Sequence, residues 1–274
     1  MRFAAALTTL AVAIALPALA QTAPTASDGE NLPPPVPIEE WPLDKVSRIG
    51  LEMYRLDSAA WLATDALLGA ISDEELRSVR GWLIAADGEG LRVHFYRQGE
   101  PDPVPGWESV VKDDRAGPVT RVEAAALTAG ELAQTRALAT ARANVGPLRC
   151  SPGLNTVIMD DPDSDAWLVW LLTPTPDNGA VPLGGHYRFR ISADGQTVLR
   201  RDQLSNGCNF ADPPPPGVQD AGLFYTQIVS KGPVETHVFL SIQNQLPIFV
   251  SANDRFFAVS GADIADVTEA VAEK

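Results

Sequence analysis

Two hydrophobic periods alternate along this chain. Over residues 43–57, Val46, Ile49, Gly50, Met53 and Leu56 recur at i, i+3, i+4 and i+7, with Lys45, Arg48, Glu52 and Arg55 mostly off that stripe, which predicts a helix. Gly50 inside it costs roughly 1 kcal/mol against Ala, and a strand crossing closely at that point would explain it. Shorter apolar runs then predict strands at 59–64, 81–86, 91–97, 107–111 and 119–127. Asp87-Gly88-Glu89-Gly90 joins the second and third of these as a hairpin. Thr128-Ala129-Gly130-Glu131 has the spacing of a capping box, in which the hydroxyl and the carboxylate each satisfy a free backbone amide. It opens a second helix reaching Asn144, with a small inner face of Leu132, Ala139 and Ala143. Strands follow at 155–159, 166–172, 186–192, 197–202, 223–229, 235–242, 247–251 and 255–259, with Ala193-Asp194-Gly195-Gln196 as a second hairpin turn. The end of the chain, from Ala262, reads as a short helix or a frayed tail.

A helix followed by antiparallel strands, twice over, is an α+β layout with each helix laid on a sheet. The halves divide as 43–127 and 128–274, either parts of one domain or two related ones. Ahead of them, residues 1–20 carry Arg2, an apolar stretch and Ala18-Leu19-Ala20, the three regions of a cleavable signal peptide. Residues 21–42, with Pro33-Pro34-Pro35 and Pro37, read as an extended linker. No later apolar run approaches the roughly 20 residues that span a bilayer, so no membrane insertion is expected after cleavage.

Charge narrows the choice of partner. The net charge of −14 becomes −15 once Arg2 leaves with the leader, which argues against nucleic acid, where phosphate contacts need surplus Lys and Arg. Cys150 and Cys208 fit an oxidising compartment. A bridge between them would constrain the unfolded chain by about 4 kcal/mol in the loop-entropy model. Two buried thiols or a redox pair are the alternatives, although the C-x-x-C spacing of a redox pair is absent.

The candidate chemistry is thin. Asp161, Asp163 and Asp165 copy the start of a calcium loop, but Ala166 stands where the sharp turn needs Gly and Leu172 where the bidentate Glu belongs. The same residues suit a hairpin turn, and one weakly bound calcium is compatible with both readings. Alternation puts His186, Arg188 and Arg190 on one strand face, a basic strip suited to an anion or paired internally with Asp and Glu. His237, read on a strand, shares its face with Glu235 and Ser241, yet residues four apart on a strand lie about 13 Å from each other. That is too far for a nucleophile and its base, and no G-x-S-x-G elbow occurs. Six tryptophans could line a sugar or aromatic site; Trp167 and Trp170 sit in a strand apolar on both sides, which favours the core.

Residues 181–189 (VPLGGHYRF) running into Ser192-Ala193-Asp194-Gly195, with 235–241 (ETHVFLS) and 61–65 (WLATD), resemble segments of uncharacterised secreted bacterial proteins of similar length. The resemblance implies bacterial export and a periplasmic home, and carries no activity with it. The expectation is therefore a periplasmic or secreted protein that binds rather than turns over, its partner a small anionic ligand or another envelope protein. His186, Arg188, Arg190 and His237 are its candidate contacts. The alternative is an envelope hydrolase with a composite site of His186, His237 and an aspartate from 161–165.

Overall fold

The computed structural model describes residues 36–88, 90–124, 126–215 and 221–272. The expected leader and most of the Pro-rich linker lie outside these residues. From Val36 the chain runs without regular structure to Pro42 and enters α1 (Leu43–Ala70). This helix is far longer than the 43–57 stripe predicts and absorbs the segment 59–64 that was expected as a strand. The reason is that the stripe continues: Leu56, Ala59, Ala60, Ala63 and Leu67 are all buried, and the segment is rich in Ala and Leu, the strongest helix formers. A single turn, α2 (Asp73–Leu76), follows, capped by Ser72 and Glu75.

The first sheet runs β1 (Val79–Asp87), β2 (Gly90–Arg97), β3 (Val104–Lys112) and β4 (Arg115–Ala116) in antiparallel order, and β5 (Thr120–Arg121) also pairs with β3. Asp87 faces Gly90 across the expected hairpin, where Gly88 takes φ +59°. The strand expected over 119–127 shrinks to β5, because most of that segment is exposed and pairing it buries nothing. The capping box does open α3 (Ala129–Ala143), but its buried face is Ala133, Gln134, Ala137, Leu138 and Ala141. Ala139 and Ala143 are exposed. In a helix with alanine on every side, apolarity does not mark the inner face.

The second sheet comprises β6 (Asn155–Asp160), β7 (Trp167–Leu172), β9 (Tyr187–Ile191) and β10 (Val198–Gln203), antiparallel in the order β10-β9-β7-β6. A two-strand patch pairs β8 (Val181–Pro182) with β11 (Phe210–Ala211). The third sheet is β12 (Leu223–Thr226), β13 (Ile248–Ala252), β14 (Arg255–Ser260) and β15 (Asp263–Asp266), and its first pair is parallel. The crossover between β12 and β13 is α4 (Glu235–Asn244), and α5 (Thr268–Ala272) closes the described chain. The whole is an α+β fold with mostly antiparallel sheets.

Helix α4 overturns the expected strand at 235–242. Every residue from Glu235 to Ser241 is buried, so no polar face reports a period, and Thr236, Val238 and Phe239 lean toward strand by propensity alone. Parallel strands need a crossover between them, and here the crossover is the helix. It also explains Gly50, although the crossing element is this helix and not a strand: a Cβ there would lie 2.5 Å from Val238 Cβ and 2.6 Å from the Glu235 carbonyl oxygen.

The second sheet is covered on both faces. Leu168, Trp170 and Leu172 of β7 pack with the first half of α1, α4 and the third sheet. Val169 and Leu171 pack with Ala137, Leu138 and Ala141 of α3. The second half of α1 lies on the first sheet, against Val93, Phe95, Trp107 and Val111. Cys150 and Cys208 are bonded, with Cα atoms 5.4 Å apart. Among the described residues, no helix is long and apolar enough to cross a membrane.

Candidate functional site

The basic strip on β9 is a buried ion network. Arg188 is 3 % exposed. Its Nε and Nη2 donate to Asp202 Oδ2 at 3.2 and 2.7 Å, its Nη1 to both Glu235 carboxylate oxygens at 3.2 and 3.1 Å, and its Nη2 also to the Glu39 carbonyl at 2.8 Å. Trp170 Nε1 donates to Glu235 Oε1 at 2.8 Å, and the centre of the Trp41 ring lies 3.8 Å from the guanidinium carbon. Arg190 faces Asp161 at 2.8 Å and Glu39 at 3.0 Å. The two guanidiniums expected to meet an anion thus each meet two carboxylates of the same chain.

The histidines are equally engaged. The Thr173 amide donates to His186 Nδ1 at 3.1 Å, so Nε2 carries the proton and donates to the Pro182 carbonyl at 2.7 Å. His237 sits on α4, not on a strand, and its Nδ1 accepts from the Val234 amide at 3.1 Å, closing the helix N-terminus as a capping-box Glu would. Burial holds His186 down at about 4. Burial first, and then the neighbouring His186, holds His237 at about 3. The two imidazoles influence each other electrostatically, but the lone pair of each is already held by a backbone amide, and a general base needs that lone pair free.

The acidic turn between β6 and β7 sends its carboxylates apart. Asp161 is buried and accepts from Arg190, Ser164 and the Asp163 amide. Burial alone would raise its carboxyl, but those hydrogen bonds outweigh it and hold it below the ordinary range. Asp163 pairs with Lys45 at 2.5 Å, and Asp165 is exposed. No group of three or more His, Cys, Asp or Glu among the described residues is placed to hold a metal.

The cavity with unspent chemistry lies elsewhere. Tyr54, Asp57 and Trp61 on α1, Trp82 on β1, Asn155 and Thr156 on β6 and Gln243 on α4 line an open groove of about 600 Å³. That falls within the usual range of ligand clefts, about 300–1,000 Å³. Trp61 is 63 % exposed, so its indole serves no core. Asp57, the only carboxylate in the lining, has no hydrogen-bond or ion-pair partner among the described residues, and burial raises its carboxyl above the ordinary value. The same aspartate also lines a water-sized cavity of about 20 Å³ with Leu138 and Ile158. Arg142 Nη2 donates to Thr156 Oγ1 at 3.4 Å.

Sequence reasoning missed this groove, although a signal was present. Tyr54, Asp57, Ser58, Trp61 and Thr64 follow helical spacing and form one face of α1, which the strand expected at 59–64 cuts in two. Compared with protein-family models, curated proteins and solved structures, the chain matches none. The chemistry of the groove is therefore read from its own side chains.

Proposed function

We propose that the mature chain is exported to the periplasm or the medium and works there as a binding protein without turnover, its ligand seated in the Trp61–Trp82 groove. The closed disulfide and the leader-like residues 1–20 support the compartment. One observation carries the binding reading: among the described residues Asp57 stands unpartnered in a groove with three aromatic side chains, whereas Arg188, Arg190 and both imidazole lone pairs are taken up internally. Hydrolysis by paired carboxylates needs two acids across the substrate, and the groove lining supplies one. The hydrolase alternative built on His186 and His237 has no comparable support.

Native and intact-mass spectrometry of the protein purified from its own source tests this. The expected product begins at Gln21 and carries a noncovalent small-molecule adduct that is released unaltered and is lost in the Trp61→Ala variant. Retention of Met1 would overturn the export reading. An adduct that survives Trp61→Ala, or no adduct at all, would overturn the groove as the seat.

A further inference from the structure

We propose that the ligand of this groove is a saccharide. The inference rests on the binding reading above and narrows it to one chemical class. A pyranose has two kinds of surface. Its ring faces present C–H groups, which pack on the flat π-surface of an indole or phenol; its rim presents hydroxyls, each both donor and acceptor.

The groove offers a counterpart to each. Trp61, Trp82 and Tyr54 supply the aromatic surface, and Trp61 does so from an exposed position that no described residue covers. Asn155 and Gln243 supply amides that donate and accept, and Asp57 supplies an acceptor-only carboxylate with no hydrogen-bond partner among the described residues. A partly desolvated carboxylate without donors is costly. Two sugar hydroxyls would satisfy it without demanding a counter-charge. An organic cation would also suit Asp57, but it would leave the Ser58 hydroxyl and the amides of Asn155 and Gln243 without a role. The neutral hydrogen-bonding groups outnumber the single charge, and they decide the class.

The test is a tryptophan-fluorescence titration of the full-length mature protein with N,N′-diacetylchitobiose, cellobiose, maltose and, as a cation, choline. At least one disaccharide should saturate the signal below about 10 mM. Asp57→Ala and Trp61→Ala should each weaken that binding at least tenfold, while Trp61→Tyr, which keeps an aromatic ring, should retain most of it. Choline binding with all three disaccharides silent overturns the saccharide assignment and leaves the binding reading standing. If all four probes are silent, the assignment falls too, and the adduct experiment then decides the binding reading on its own. Disaccharide binding indifferent to both substitutions moves the sugar site away from the groove.

Discussion

The Arg188 network and the Asp57 groove hold the same kinds of group, carboxylates beside aromatic rings, in opposite states. Around Arg188 the guanidinium N–H groups find oxygens of the same chain, the Trp41 ring stacks on it and Trp170 donates to its partner Glu235, although Trp41 Nε1 is itself buried without a hydrogen-bond partner among the described residues. Around Asp57 the carboxylate has no partner among the described residues, and Trp61 is 63 % exposed. Residue type therefore says little about role. What separates scaffold from candidate site is whether the charged groups are satisfied before any ligand arrives.

The hardest test of that contrast is to break the satisfied side. Arg188→Met leaves Asp202 and Glu235, 4 % and 0 % exposed, without their shared cation. Breaking a buried pair from one side typically costs 3–5 kcal/mol, roughly what separates many domains from unfolding. Urea unfolding should show a midpoint lowered accordingly, while Trp61→Ala in the groove should shift it by less than about 0.5 kcal/mol equivalent. Equal losses from the two would erase the distinction.

Acid probes the same interior more gently. His186 and His237 have folded pKa values depressed to about 4 and about 3, against 6.5 unfolded. The unfolded chain therefore takes up protons that the folded chain refuses as pH falls from 6.5, and stability drops across that window until the folded values are reached. For His186 alone the loss by pH 4 is about 3 kcal/mol. Unfolding midpoints at pH 7 and pH 5 measure most of it, above the range where Asp161 and Glu131, both held low, begin to contribute. A flat profile between pH 7 and 5 would mean that the imidazoles charge within the fold and are accessible after all.

How far the sequence discloses this division follows from which groups report a period. β7 was legible because WLVWLL is apolar on both faces and fills a central position. The hairpin at Asp87 and the second helix at Thr128 were legible from local chemistry, since turns and caps leave marks on neighbouring residues, and the Cys150–Cys208 bond from there being two cysteines behind a leader-like segment. α4 was not legible, because its run from Glu235 to Ser241 is buried on all sides and has no polar face to time it. That one error put His237 on a strand. The basic strip on β9 was placed on the right face, but its fate depended on Glu39, Trp41 and Glu235, which arrive from distant parts of the chain. The groove was lost for a related reason: its α1 face became visible only once residues 59–64 joined the helix.

The smallest effect is the most specific to the groove. Burial raises the Asp57 carboxyl in the folded state, so above that raised value the fold carries an ionised group it disfavours. Between the unfolded value of 3.8 and the raised folded value the folded chain binds the proton more tightly, and stability therefore falls as pH rises through this window, the reverse of the histidines. Asp57→Asn removes the charge and with it the penalty. At pH 7 the variant should melt higher, by about 1–4 °C for a chain of this size, and the gap should close as pH drops below the ordinary carboxylate range. A stabilised variant that also loses ligand is the signature of a group kept for binding at some cost to the fold. A variant that melts lower at pH 7 would show that Asp57 is held by the protein itself, and the groove would then join the Arg188 network on the satisfied side.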